Sequence, residues 1–139
     1  MKNLVLTIAS LYGMTAVILG AFGAHAFKKI LPAEKLASFE VGVRYQMYHA
    51  IVLLAVGMYF QFNNGLERSA AWCLIAGTFV FSVSIYLLSF AEHWNVNLKF
   101  LGPITPLGGL FMIIGWGLLA WIFICLLYTS DAADEEDSV

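Results

Sequence analysis

Four apolar stretches, each close to the length needed to cross a lipid bilayer, occupy almost the whole of this chain. A spanning helix needs about 20 mostly apolar residues, so four helices with short links use nearly all of the 139 residues. Hydrophobic residues make up 61% of the chain and charged residues 12%. A soluble fold of this composition would expose far more apolar surface than a monomer tolerates. The sequence therefore predicts an all-α integral membrane protein, a four-helix bundle solvated by the lipid bilayer.

The ends of the apolar stretches place the four helices within a single domain over residues 1–124. We expect the helices at about 4–27, 39–62, 69–91 and 105–127. The first run continues past the usual length of a signal peptide, so we interpret it as a spanning helix. Residues 33–38 form an amphipathic lead into the second helix, and Asn63-Asn64-Gly65 should close it, because Asn and Gly tolerate the left-handed turn that ends helices. Thr105 should cap the fourth helix, with Pro106 in the first helical position.

The last residues, 125–139, change abruptly from apolar to small and acidic. The run from Cys125 to Asp134 matches the translation of a transposon mosaic end and adapter used to prepare sequencing libraries. We therefore expect residues 125–139 to be adapter read-through and not native sequence, with a solvated acidic tail as the alternative. Resequencing the source locus without such an adapter decides between the two. Without this segment the formal charge changes from −2 to +3.

Small residues recur at intervals of three or four along the predicted first helix, a spacing that places them on one helix face. They are Ala9, Gly13, Ala16, Gly20 and Ala24. The third and fourth helices carry further glycines, including Gly77, Gly108 and Gly115. In lipid, such residues let two helix backbones approach closely. The pattern predicts a tightly packed bundle.

The second helix carries the one ionisable cluster at membrane depth. Its members are Glu40, Arg44, Tyr45, Tyr48 and His49, with Gln46 among them. At about 100° per residue they occupy one half of the helix. The other half holds an apolar stripe, namely Phe39, Val43, Met47, Ala50 and Leu54. Since an unpaired charge in hydrocarbon costs about 3 kcal/mol or more, we expect the polar half to face the bundle interior and the apolar stripe to face lipid.

This cluster supports two interpretations. In the first it is a proton or substrate path, with Glu40 and His49 as exchangeable groups and Arg44 as a counter-charge or anion clamp. In the second, which we favour, it is an internal hydrogen-bonded lock, with Glu40 and Arg44 paired one turn apart and Arg44 snorkelling toward water. A path would need a second polar helix facing the first. The other three helices offer mainly small residues, hydroxyls and glycine.

Other reactive side chains are scattered. His25, His49 and His93 lack the spacing of ligands on one helix, so we expect no metal, haem or other cofactor. Cys73 and Cys125 are predicted to be small apolar fillers without a disulfide. The basic residues form no stripe, which argues against a nucleic-acid partner. Without a nucleophile beside a base or a phosphate-binding loop, we expect no enzyme activity.

The basic residues in the links predict an orientation. The links after the first and third helices hold Lys28, Lys29, Lys35 and Lys99, whereas the amino end and the link after the second helix hold Lys2 and Arg68. Cytoplasmic loops carry an excess of lysine and arginine. The side with four lysines should therefore face the cytoplasm, with both termini outside.

Three motifs occur in a familiar order. They are GAFGAHAF at 20–27, RYQMYHA at 44–50, and GPITPLGG at 102–109 followed by Gly115-Trp116. Together they resemble the domain-of-unknown-function 423 family, the YgdD-like membrane proteins of UPF0382 type, from the first helix to about residue 124. The resemblance implies a four-helix protein of the bacterial inner membrane with no settled biochemical role. The recurring family positions map onto Gly20, Gly23, His25, Tyr45, His49, Pro106, Gly108, Gly109 and Trp116.

We therefore expect a small integral inner-membrane protein with a structural or accessory role. Its partners would be the lipid bilayer and either further copies of itself or another membrane protein. The alternative is a small proton-linked transporter or channel that uses the polar face of the second helix. A redox or metal-dependent membrane enzyme is a remote third interpretation.

Overall fold

Four long α-helices form the chain in the computed structural model, which describes the backbone of residues 1–137 and the side chains of residues 1–129. The helices are α1 (Lys2–Ala24), α2 (Ala33–Tyr59), α3 (Gly65–Ala91) and α4 (Ile104–Asp137). Short 3-10 helices at Phe27–Lys29 and Lys99–Leu101 lie in the links after α1 and α3. Each long helix is apolar enough, and long enough, to cross a membrane. This confirms the predicted all-α, four-helix membrane architecture. The adapter hypothesis stays a prediction, and most of the side chains it concerns lie outside the described residues.

The link between α2 and α3 differs from the prediction. α2 ends at Tyr59 and α3 begins at Gly65, in each case a few residues earlier than expected. Asn64 caps α3, because its side-chain oxygen accepts the Glu67 backbone N–H at 2.9 Å and its amide donates to the Glu67 carboxylate at 2.8 Å. This reciprocal cap satisfies a donor that the helix itself leaves free. The Asn-Asn-Gly segment therefore starts α3 and does not close α2, and the left-handed residue is Phe62, with φ of 59°.

The start of α4 also differs. The helix begins at Ile104, so Thr105 lies inside its first turn and is not the cap that we predicted. The Thr105 hydroxyl lies 2.7 Å from the Ser84 hydroxyl of α3, which ties the two helices together. Pro106 falls in the first turn, where its missing N–H removes no intrahelical bond. α2 begins at Ala33, so the expected lead over residues 33–38 is part of the helix itself. α1 ends at Ala24, earlier than the predicted 27, and α4 continues to Asp137, past the predicted 127.

Helices adjacent in sequence are adjacent in space: α1 packs on α2, α2 on α3 and α3 on α4. The α1–α2 pair is antiparallel, with Gly13 opposite Ala50 and Gly57 opposite Leu6. A Cβ placed on Gly57 would lie 2.7 Å from the Leu6 side chain. Of the small residues predicted along one face of α1, all but Ala24 are buried or half-buried, and Gly13 and Gly20 contact α2, whereas Ala24 is exposed.

α3 and α4 approach until their backbones touch. A Cβ on Gly108 would collide with the backbone nitrogen of Phe81, and a Cβ on Gly77 would lie 2.7 Å from the backbone nitrogen of Met112. A Cβ on Gly115 would lie 2.8 Å from a leucine side chain of α3. A side chain at the first two positions would collide with main chain, which has little freedom to move aside. Close contact of this kind supplies the dispersion energy that joins helices in lipid.

Two buried clusters fill the bundle. The larger joins all four helices and includes Val5, Ala9, Leu53, Leu74 and Leu119. The smaller lies at the end of the bundle where the link after α1 packs. There the Phe27 ring meets Phe39 edge-on at 5.2 Å and Phe90 at 4.9 Å, measured between ring centroids. These aromatic contacts fix the link against α2 and α3.

Candidate functional site

α2 is the central element of the candidate site, because α1 and α3 pack on it and α4 contacts it through side chains. Ala50 faces α1, Gly42 faces α3 and His49 faces α4. At about 100° per residue these three positions lie on one half of the helix. Arg44 lies on the opposite half, and its side chain is exposed. α2 therefore has an inner half that contacts the bundle and an outer half that no helix of the described chain covers.

The predicted polar cluster is divided between these two halves. His49 and Gln46 are buried, at 5% and 6% exposure, whereas Glu40, Arg44, Tyr45 and Tyr48 are exposed. The two tyrosines retain 42% and 55% of their accessible surface. The prediction that the whole cluster faces the interior is wrong. Glu40 and Arg44 also remain separate, since the structure records no ion pair between them within residues 1–129.

The apolar stripe that we expected to face lipid is also misplaced. Its members are buried or half-buried: Phe39, Val43, Met47, Ala50 and Leu54. Glycines on α1 explain why. A Cβ on Gly20 would lie 3.5 Å from the Val43 side chain, and a Cβ on Gly23 would lie 3.5 Å from the Phe39 ring. The aromatic and branched side chains of α2 fill the space that α1 leaves, whereas a charged side chain there would be buried without a partner.

Gln46 is the polar centre of the inner half and is 6% exposed. Its amide donates to the Tyr12 carbonyl at 2.9 Å and to the Thr15 hydroxyl at 2.6 Å, both on α1. Its side-chain oxygen accepts from the Tyr86 hydroxyl of α3 at 2.7 Å. One side chain thus joins three helices, with both amide hydrogens and its oxygen in use. Gln46 was not among the predicted site residues, although a glutamine in the middle of a spanning helix is itself a signal for such a bond.

His49 joins α2 to α4. Its Nε2 atom lies 3.2 Å from the indole nitrogen of Trp116, and its Nδ1 atom lies 2.8 Å from the Tyr45 carbonyl of its own helix. The indole N–H can only donate and the carbonyl can only accept. The neutral ring with a proton on Nδ1 therefore satisfies both partners, and the partners assign this tautomer. A second proton on the ring would face the indole donor and break the bond to α4.

Further hydroxyls complete the internal network. The Tyr12 hydroxyl donates to the Ile75 carbonyl at 2.9 Å, and the Ser82 hydroxyl donates to the Gly42 carbonyl at 2.9 Å. Thr78 is fully buried, and its hydroxyl has no hydrogen-bond partner. Apart from this hydroxyl, the buried polar side chains of α2 and α3 described above are already bonded to another helix or to their own.

The bonds of Gln46 also indicate its depth in the membrane. Thr15, which it contacts, lies at the middle of the apolar run of α1. With a rise of about 1.5 Å per residue, Arg44 lies about 3 Å and Glu40 about 9 Å along the axis from the level of Gln46. The hydrocarbon core extends about 15 Å on either side of the midplane. With the level of Gln46 taken as the bilayer midplane, both charged residues of the outer half lie at hydrocarbon depth.

The histidines and cysteines remain apart. His25 ends α1, His93 lies in the link after α3, and both are exposed, whereas His49 is buried. In the part of the chain that the structure describes, no three His, Cys, Asp or Glu side chains are grouped as metal ligands would be. Cys73 and Cys125 are both free thiols.

Known proteins are similar to this chain over most of its length. A UPF0382 membrane protein of Haemophilus influenzae is 40% identical over 121 residues, which cover 87% of this chain and 94% of that protein. The UPF0382 membrane protein YwdK of Bacillus subtilis is 38% identical over 111 residues, covering 78% and 86%. The UPF0382 membrane protein C1782.12c of Schizosaccharomyces pombe is 34% identical over 113 residues, covering 81% and 94%. No solved structure matches this chain.

The chain also matches the family described as "Protein of unknown function (DUF423)" over residues 19–109. It belongs to this family. The DUF423 membership, the relatives and the four apolar helices together make it a small multi-pass membrane protein. The resemblance seen in the sequence is thereby confirmed.

The positions that carry the DUF423 resemblance fall mainly at helix contacts. They are Gly20 and Gly23 against α2, Gly108 and Gly109 against α3, Pro106 in the first turn of α4, and the bonded pair of His49 and Trp116. Tyr45 supplies the carbonyl that His49 contacts, and its ring packs on Phe81 with centroids 5.0 Å apart. His25 is exposed at the end of α1. In this chain, the motifs that carry the resemblance therefore lie mainly where helices pack.

Proposed function

We propose that this chain is a non-enzymatic accessory protein of the bacterial cytoplasmic membrane, and that the outer half of α2 binds a protein partner within the bilayer. The observation that supports this most directly is the exposure of Glu40 and Arg44 at hydrocarbon depth. A charged side chain at this depth costs about 3 kcal/mol or more when it has no partner. A partner that pairs with both charges would recover much of that free energy.

The state of the inner half supports the same proposal. Gln46 and His49 already use their bonding groups within the bundle, so neither has a free group to offer to Glu40 or Arg44. Arg44 lies about 12 Å below the hydrocarbon boundary by the same estimate of depth. This is further than a single side chain can reach toward water. Pairing with a protein neighbour is therefore the more economical way to accommodate both charges.

A transport function receives less support. A proton path would use Glu40 and His49 in sequence, yet Glu40 lies on the outer half of α2 and His49 contacts Trp116 on the inner half. A proteoliposome flux assay with the intact chain and with His49→Ala and Glu40→Gln variants tests this alternative. Flux that both substitutions abolish would replace the accessory proposal with transport.

Site-specific photo-crosslinking in native membranes tests the accessory proposal. A photoreactive phenylalanine analogue replaces Tyr48, which is 55% exposed beside Arg44, or Ile113, which is 68% exposed on α4. We expect a protein adduct from position 48 and mainly lipid adducts from position 113. Lipid adducts alone from both positions would contradict a protein contact on α2.

We further propose that both termini lie outside the cytoplasm. Lys35 and Lys99 line one shared groove at the end of the bundle where the links after α1 and α3 lie, whereas Lys2 bonds to the Met58 carbonyl at the other end. The more basic end should face the cytoplasm. In a Cys73→Ala, Cys125→Ala background, Asn63→Cys should react with an impermeant thiol reagent in intact cells. Asn97→Cys should react only after the membrane is opened, and the reverse pattern would invert the orientation.

A further inference from the structure

We propose that the partner of α2 is a second copy of this chain, so that two copies pair through their α2 helices about a two-fold axis along the membrane normal. This inference rests on the proposed function, in which the outer half of α2 is a protein contact. It names the partner and the residues that join the two copies. Two reciprocal ion pairs, each between Glu40 of one copy and Arg44 of the other, would form the centre of the contact.

Charge self-complementarity is the main argument. In a two-fold contact the same surface meets itself, so residue i of one copy contacts residue j of the other, and the reverse also holds. Two copies inserted with the same orientation place equal heights side by side. The exposed face of α2 carries one acid and one base a single turn apart. Such a face satisfies two charges in each copy at once, whereas a contact between unlike proteins would need a matching pair of charges on a different sequence.

The direction of the side chains favours these pairs. Glu40 and Arg44 differ in height by about 6 Å along the helix axis. Side chains on an α-helix lean toward its amino end, and the long Arg44 side chain therefore leans toward the level of the neighbouring copy's Glu40. An antiparallel arrangement would require the two copies to insert in opposite directions.

The rest of the outer half has the spacing of a helix-packing seam. Exposed positions recur every three or four residues along α2: Glu40, Arg44, Tyr48, Ile51, Ala55 and Met58. Helices that pack along their length use this spacing. Ala55 supplies a small residue that allows close approach, and Ile51, at 59% exposure, supplies a branched side chain on the same line. The charged pair and the apolar seam are therefore continuous on one face.

A notch beside the charges gives the second copy room. Gly20 and Gly23 of α1 lie next to Glu40 and Arg44, and together with Phe39 they line a recess of about 280 Å³. Because the two glycines leave α1 without side chains here, α1 does not shield the charged turn of α2. A neighbouring helix can approach this turn without displacing α1.

Disulfide trapping tests the contact directly. Ile51→Cys, in a Cys73→Ala, Cys125→Ala background, should form a product of doubled mass in native membranes under mild oxidation. Ile113→Cys on α4 is the matched control, because it has similar exposure and residue type but lies on another helix. Absence of the doubled product for Ile51→Cys, or equal yields at both positions, would overturn the proposal.

Charge reversal tests the pairing. In the Ile51→Cys background, E40R alone or R44E alone should lower the yield of the doubled product about tenfold, because like charges then face each other. Coexpression of a tagged E40R copy with a differently tagged R44E copy should restore a mixed product, since each acid then meets a base. The rescue requires both variants to be folded, so it also excludes misfolding as the cause of the loss. A failure of the mixed pair to recover would exclude the reciprocal ion pairs.

The two experiments separate this inference from the proposed function. A protein adduct at position 48 that contains a different protein, together with no doubled product at position 51, would reject the second copy and leave the accessory function standing. Lipid adducts alone at position 48 and no doubled product would reject both. A doubled product with mixed-copy rescue supports both.

Discussion

The α3–α4 contact and the contacts of α2 differ in the interactions that hold the helices together. α3 and α4 meet through glycines, with the backbone of Gly108 against the backbone of Phe81. α2 also packs on α1 through glycines, but side-chain hydrogen bonds centred on Gln46 and His49 additionally tie it to its neighbours. The α3–α4 contact cannot accommodate an added side chain, because the two backbones lie directly against each other. The bonds of α2 depend on particular donors and acceptors, and they occupy only one half of α2. The bundle therefore combines a closely packed α3–α4 pair with a helix, α2, that is held on one side by hydrogen bonds. No helix of the described chain covers the charged outer half of α2.

Gly108→Leu should have the largest effect, because it places a side chain where the backbone of Phe81 lies. Overpacking costs about 1–3 kcal/mol in adaptable sites, and we expect about 3 kcal/mol or more here, where no side chain can move aside. The measurement is the unfolding free energy in detergent micelles, followed by helical circular dichroism. Gly117→Leu is the control, since Gly117 is exposed on the same helix and nothing lies within 4 Å of its would-be Cβ. Equal losses for the two variants would contradict a specific clash at the α3–α4 contact, since leucine is a better helix former than glycine and has open space at position 117.

Gln46→Leu should have the next largest effect, because it removes bonds to α1 and α3 together. The Tyr86 hydroxyl then has no acceptor, and an unsatisfied buried group costs about 1–3 kcal/mol. We expect a loss of about 2 kcal/mol in the same unfolding assay. Tyr86→Phe, which removes one bond and leaves both bonds of Gln46 to α1, should cost roughly half as much. A Gln46→Leu variant as stable as the parent would show that apolar packing alone holds α2.

The sequence predicts the four helices, but it does not predict which side of α2 contacts the bundle. Apolar runs of spanning length admit few alternatives to helices in lipid, and small residues such as Gly77 and Gly108 lie at contacts, as their pattern predicts. The boundary at Asn64 was wrong because asparagine before glycine suits the end of one helix and the cap of the next equally well. Only the bonds to Glu67 distinguish the two.

The error on α2 has a different cause. The rule that charges face the bundle interior treats one chain as complete, and it counts Glu40 and Arg44 together with His49. In the structure the interior is filled by a neutral glutamine, a neutral histidine and aromatic rings, and the charges lie outside. The space left by the glycines of α1 decides which side chains of α2 enter the interior. The size of that space depends on how the two helices pack, and the pattern of residues along α2 alone carries no information about it.

The His49–Trp116 bond gives a smaller expected effect. His49→Phe and Trp116→Phe each remove one partner of a single hydrogen bond between α2 and α4 and keep an aromatic ring in place. Hydrogen bonds between helices in membranes contribute about 0.6 kcal/mol on average and at most about 1.7 kcal/mol. A double-mutant cycle should therefore return a coupling of about 1 kcal/mol between the two side chains. Additive effects would show that the two rings pack together without the bond.

Glu40→Gln should have the smallest effect on the bundle and so gives the sharpest contrast between the two halves of α2. Its side chain is exposed and supports none of the contacts that hold the four helices. We expect the unfolding free energy of the isolated chain in detergent to change by less than about 0.5 kcal/mol. The same substitution should nevertheless reduce the protein adduct at position 48 in native membranes, because one charge of the proposed pairing is lost. A large loss of stability in detergent would place Glu40 in the fold of the single chain, and the inner and outer halves of α2 would then no longer be distinct.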